Sequence, residues 1–159
     1  MAQGTFTLFN EFSESSMDGR IDLDTHTLKF ALTSTVPAAT DAVPCWGAGG
    51  STNLSTNEVS GDNYTAGGKT LATVTWTRAL GVTTLNADDL SGAAKWAQHA
   101  SGPNNIKTGI LYSDTATNKD AIGFMDMTAD GGTTAISLQA GDISVTWNAS
   151  GIFTHTVNP

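Results

Sequence analysis

Acidic, thiol and imidazole groups are where any chemistry in this chain would have to start, and their spacing limits what it could be. Asp18, Asp22 and Asp24 stand close enough to raise a calcium loop. They lack the spacing, the central glycine and the distal glutamate with which such a loop wraps its ion, so they read as a solvated acidic turn. His26, His99 and His155 lie in separate segments with no H-x-x-x-H spacing, and Cys45 is alone, so no zinc site is expected. Cys45 would be a nucleophile only beside a base that the sequence does not reveal; it reads as a small packed hydrophobe, and it rules out an intrachain disulfide. Asp88 and Asp89 are adjacent, and neighbours on a strand point to opposite faces, so they cannot converge as an acid–base pair and read as turn formers. A Ser–His–Asp set can be assembled on paper from so many serines and acids, but no G-x-S-x-G, phosphate loop or dinucleotide fingerprint supports one. Asn53, Asn63 and Asn148 each begin an N-x-[ST] triplet, which chance explains in a chain this rich in Asn, Ser and Thr. The expectation is no enzyme, no cofactor and no metal.

Contact chemistry is the alternative. Phe6, Leu8, Phe9 and Phe12 put four large apolar side chains at the start of the chain, in a segment that either pairs with its own sheet or reaches a neighbouring subunit as an arm over residues 1–12. Trp46 sits before Gly47-Ala48-Gly49-Gly50 in the aperiodic loop Val36 to Leu54. It is either tucked onto the core or an anchor for a partner. These five residues are the candidate partner-binding set.

The elements that must position them are strands. Charged residues make up 14% of the 159, against roughly 25% in ordinary soluble domains. Threonine and glycine are abundant, which suits pleated surfaces and many turns. A chain of this length reads as one domain, 1–159, burying ~70% of its unfolded surface. Leu28, Phe30 and Leu32 alternate with Lys29, Ala31 and Thr33, a strand with one face inward. Asn57 to Gly68 carries the strongest turn signal, Gly61-Asp62-Asn63 and then Gly67-Gly68, and delivers a strand from Thr70 to Thr77. Ser13 to Arg20 reads as a turn or one helical turn, and Val82 to Leu90 as a short strand.

Ile106 to Tyr112 and Ala121 to Met127 form the best hairpin, apolar on both faces and therefore central or covered twice. Ile143 to Trp147 and Ile152 to Val157, joined by Asn148 to Gly151, read as a second hairpin. About eight strands and no long helix predict an antiparallel β-sandwich, jelly-roll-like, with a β-barrel as the runner-up. Its expected core includes Phe30, Leu32, Val74, Trp76, Ile110, Phe124, Val145 and Trp147.

Fifteen acids against seven scattered basic residues give a net charge of −8, which disfavours nucleic acid. No apolar run approaches ~18 residues and no signal-peptide pattern opens the chain, so neither membrane nor export is expected.

Five stretches taken together resemble a family of small structural proteins encoded by tailed bacteriophages. They are FNEF from Phe9 to Phe12, DTHTLKFAL from Asp24 to Leu32, NEVSGDNYTAGGKTL from Asn57 to Leu71, NADDL from Asn86 to Leu90 and ILYSDT from Ile110 to Thr115. The order holds over most of the chain, whereas Val36 to Leu54 and Ala97 to Asn105 depart from the family's compact pattern. The likeness implies a decoration or cement protein on the outer surface of the head, made in the reducing host cytoplasm. Its partners would be the major capsid protein and itself, as a homodimer or homotrimer. From the likeness, Ala93 to His99 is assigned as a strand rather than a helical turn. The alternatives are a receptor- or carbohydrate-binding domain of a tail or fibre, which lacks the shaft repeats such modules use, and a β-sandwich hydrolase, which lacks a motif.

Overall fold

The computed structural model describes residues 4–156. Ten strands occur among them: β1 Phe6–Leu8, β2 Leu28–Thr33, β3 Pro44–Cys45, β4 Thr52–Asn53, β5 Lys69–Thr70, β6 Thr75–Ala79, β7 Val82–Asn86, β8 Thr108–Ser113, β9 Ala121–Asp126 and β10 Phe153–Thr156. One short helix, α1 Phe12–Met17, follows β1. The chain is all-β, and its two larger sheets are antiparallel: β1-β9-β8-β2-β5 and β10-β7-β6. The pair β3-β4 is parallel.

The five-stranded sheet is covered on both faces, as the two-sided apolar pattern of its central strands requires. Across β2 and β8, Phe30 pairs with Leu111 and Ala31 with Ile110. Alternation then sends Phe30 and Leu111 into one cluster and Ala31 and Ile110 into another. The first cluster meets the three-stranded sheet through Leu85, with Trp76 and Phe153 against its margin. The second is roofed by Trp46 and Leu54 from the long loop. Gly109 makes the first packing feasible, because a Cβ there would collide with the Phe30 ring. Phe30 in turn meets Trp147 edge-on at 5.4 Å.

The aperiodic Val36 to Leu54 segment is more ordered than its composition implies. The Trp46 N–H donates to the Lys119 carbonyl (2.8 Å), and Cys45 makes a bridge with Asp120. Gly50 lies where a Cβ would strike the Val43 carbonyl and the Cys45 sulfur. The glycine run therefore lets the loop close over the sheet.

Three expected strands differ. Only Lys69–Thr70 of Thr70 to Thr77 joins the five-stranded sheet; Thr73 turns to φ 51°, and the chain enters the other sheet at Thr75. Ala93 to His99 is a 3-10 turn at Gly92–Ala94 and one bridge between Trp96 and Ile143, which ends because the Gln98 N–H goes to the Asp142 carboxylate (2.8 Å). Ile143 to Trp147 does not pair with the last strand. The Val145 N–H donates to the Leu90 carbonyl and the Trp147 N–H to the Asp89 carboxylate, while β10 pairs with β7. The Asn148 to Gly151 turn exists, closed by Gly151 N–H to the Asn148 carbonyl (2.8 Å), but it joins β10 to a segment that makes only isolated bridges. Val157 lies outside the described residues. Of the expected core, Phe30, Leu32, Ile110, Val145 and Trp147 are buried, whereas Val74, Trp76 and Phe124 are half-buried at its margins.

Candidate functional site

The groups with chemical potential are occupied by the fold. Cys45 is buried, and loss of solvation with Asp120 nearby pushes its thiol up to about 11, so it is a poor nucleophile. His26 Nδ1 accepts from the Asp22 N–H (3.3 Å), which leaves the Ser113 hydroxyl, 2.9 Å away, as donor to the same nitrogen. A serine donating to an imidazole is half of a nucleophilic pair. Ser113 is fully buried, however, and its oxygen also accepts from the Ala116 N–H, so the contact fastens the β8–β9 turn.

Asp120, itself buried, takes Arg20 at 3.0 Å, and Arg20 reaches Glu11 at 2.9 Å. In the acidic turn, Asp22 accepts from the Asp24 N–H and from the Thr25 hydroxyl, and these bonds hold its carboxyl below the usual range. Asp88 accepts from the Thr73 hydroxyl, and the Asp88 carbonyl accepts from Trp147 Nε1; Asp88 and Asp89 lie in an irregular segment between β7 and the Leu90 bridge rather than in the expected turn. Among the described residues, no three His, Cys, Asp or Glu are placed to hold a metal ion, and no helix is long and apolar enough to cross a membrane.

The five candidate contact residues turn inward. Phe6 and Leu8 lie in β1, paired with β9 of the same chain, and both are half-buried. This corrects the extended-arm alternative for residues 6–8; Met1 to Gln3 lie outside the described residues. Phe9 packs on Phe124 at 5.1 Å, and Phe12 opens α1 with its ring edge-on to Phe153 at 5.4 Å. Trp46 stacks on Tyr112 at 5.0 Å and is only 5% exposed. Of the two alternatives the sequence leaves for these residues, packing against the chain's own sheets is the one observed, and exposure cannot be read from a glycine-flanked position alone.

What does protrude is the β6–β7 hairpin. Ala79 pairs with Val82, so Leu80 and Gly81 form a two-residue turn with φ of 49° and 81°. Trp76, Leu85 and Phe153 share a row at the packed end of this sheet, while Arg78, Ala79 and Leu80 at the other end are exposed. The side of the sheet turned from the core carries a row of Thr77, Thr84 and Thr154. From Thr75 to Asn86 the only charge is Arg78, which makes no ion pair among the described residues. The sequence reading has strands at Thr70 to Thr77 and Val82 to Leu90 but not their pairing, although two alternating runs flanking X-Gly are a hairpin signal.

Beside the same sheet lies a cleft of about 720 Å³ between the β1–β9 edge and the 144–154 segment. Met125, Met127, Val145, Ile152 and Phe153 contribute apolar lining; Thr146 and Asn148 are polar. None of the described residues lining it is ionisable. The volume falls within the range of ordinary ligand sites.

No protein-family model matches this chain, and no curated protein or solved structure matches it.

Proposed function

We propose that this chain is a non-enzymatic virion protein of a tailed bacteriophage that decorates the head, bridging subunits of the major capsid protein as a small symmetric oligomer. The observation that carries the reading is the ordered set of stretches resembling phage structural proteins, from Phe9-Asn10-Glu11-Phe12 to Ile110-Leu111-Tyr112. Those stretches supply β2, β5 and β8 of the five-stranded sheet, while Cys45 is buried and Ser113 and Asp120 are buried in hydrogen bonds. A threonine-faced sheet with a projecting hairpin suits packed, mostly polar contacts repeated across a lattice, where modest affinities multiply.

A tail or fibre glycan-binding domain is the competing reading, and the uncharged cleft favours it. The tryptophans do not: Trp46, Trp96 and Trp147 are buried and Trp76 is half-buried, so none lays an open indole face to a sugar ring. Purified protein added to heads lacking it should bind saturably and raise their resistance to heat or dilution. Binding to tails or cell-surface glycans, with none to heads, would reverse the choice.

A further inference from the structure

We propose that the free edge of β6 pairs with β6 of a second copy, antiparallel about Thr77, so that two three-stranded sheets join into one continuous sheet. This specifies the oligomer in the reading above and rests on that reading only there.

The unpaired groups are in the backbone. β6 is an outer strand of the sheet β10-β7-β6, and its five residues make it the longest edge strand among those described. Because Leu80-Gly81 is a two-residue turn, Ala79 and Val82 exchange both their hydrogen bonds, and the pattern alternates from there. Thr75, Thr77 and Ala79 thus bond to β7, and the N–H and C=O groups of Trp76 and Arg78 face outward. No other described segment bonds to them. Edge strands are ordinarily blunted by proline, lysine or a bulge; β6 has none of these, and its register with β7 is unbroken.

The edge is self-complementary in one register. Centring two antiparallel copies on Thr77 sets Trp76 of each opposite Arg78 of the other, and each such pair exchanges two bonds, so the outward backbone groups are satisfied. Trp76 and Arg78 share a face of the strand, so each guanidinium comes over the half-buried indole of the other copy. Arg78, which makes no ion pair among the described residues, thereby gains a partner. One step further along, Leu80, fully exposed in the single chain, comes beside the half-buried Val74 of the second copy. Shifted registers are poorer. Arg78 opposite Arg78 sets like charges together, and Trp76 opposite Trp76 leaves both arginines unmatched.

A net charge of −8 opposes self-association at long range, and the edge keeps acids out of the contact: none lies in β6, β7 or β10. Screening over about 8 Å at physiological salt mutes the remote charges, whereas the backbone bonds act at contact distance. The contact is small, so association on the order of micromolar is expected in solution.

Register-specific cross-linking tests the pairing. Thr77 is exposed and Cys45, the only native thiol, is buried, so Thr77→Cys adds one accessible thiol on the axis. A non-hydrogen-bonded pair brings its Cα atoms to about 4.5 Å, within disulfide range. Under mild oxidation T77C should give a covalent dimer about tenfold or more faster than Thr154→Cys, which is also exposed but lies on the opposite edge strand. Thr75→Cys and Ala79→Cys should link to each other in a mixture and neither to itself. By sedimentation, wild type should dimerise, and more strongly as salt rises to the physiological range. Arg78→Pro removes an outward N–H and the cation without touching a bond to β7, and should dimerise about tenfold or more weakly. Wild type that stays monomeric overturns the proposal, as does T77C that links no faster than T154C. Self-linking of T75C or A79C at the T77C rate overturns the register. Arg78→Ala that associates more tightly than wild type overturns the pairing too, since the arginine would then guard the edge. Head binding is scored separately: wild type that dimerises through β6 but ignores heads sinks the capsid reading and leaves this one standing.

Discussion

At the scale of single residues, the buried polar groups divide into those that are paired and those that are not, and opposite outcomes follow. Arg20 pairs with the buried Asp120 carboxylate, so Arg20→Ala removes the cation that faces an enclosed charge. It should cost about 2–3 kcal/mol, less than for a fully buried pair because Arg20 is partly solvated. Thr108 is the converse. Its hydroxyl is buried with no partner among the described residues. Thr108→Val keeps the shape and removes the orphan, so it should be neutral or stabilising by about 1 kcal/mol. Urea denaturation of both variants checks the contrast; a destabilised T108V would mean that the hydroxyl is satisfied by something more than van der Waals contact. Neither role was legible in the sequence. Arg20 read as the end of a polar turn, since its partner is a hundred residues away.

At the scale of elements, periodicity identified strands but not their partners. The alternation of Leu28 to Thr33 and the two-sided runs of Ile106 to Tyr112 and Ala121 to Met127 became β2, β8 and β9, because covering both faces of a sheet imposes its pattern directly on sequence. Ile143 to Trp147 alternates equally well and is not a ladder strand. Its alternate backbone groups bond to Trp96, Leu90 and Asp89, and nothing local encodes which distant segment supplies a partner. The short strands β3, β4 and β5 have two residues each, below what any period can reveal. The hairpin was readable from Leu80-Gly81, but Leu80 lacks the usual asparagine and so masked the turn. The irregular segment still depends on its anchor. Trp147 is 7% exposed, meets Phe30 edge-on and donates Nε1–H to Asp88 (3.1 Å), so Trp147→Ala should cost ~3–5 kcal/mol. Far-ultraviolet circular dichroism should keep its strand signature while thermal unfolding moves down by many degrees.

At the scale of the whole molecule, the excess of acid is distributed so that several carboxylates hold turns together, which ties stability to pH. Asp114 is gripped by Lys119 at 2.7 Å and Lys29 at 3.1 Å, chiefly through its hydrogen bond to Lys119, and this holds its carboxyl below the ordinary 3.8. Asp130 is lowered by bonds from Thr134, and Asp142 by Lys95 and the Gln98 N–H. A carboxyl depressed in the folded state contributes stability that is fully present above its unfolded value and is lost as pH falls through the folded value. Stability should therefore be level from pH 7 to about 5 and decline below about 4. Repulsion within a chain of charge −8 works the other way, since protonation relieves it. The two separate by range: at physiological ionic strength the screening length is about 8 Å, which mutes distant repulsion and leaves bonds of 3 Å nearly intact. Melts at pH 6, 4 and 3 in physiological salt should show a progressive loss, and Lys119→Ala should flatten part of it by releasing Asp114. A midpoint that holds steady or rises between pH 6 and 3 would mean that charge relief outweighs the carboxylate clamps.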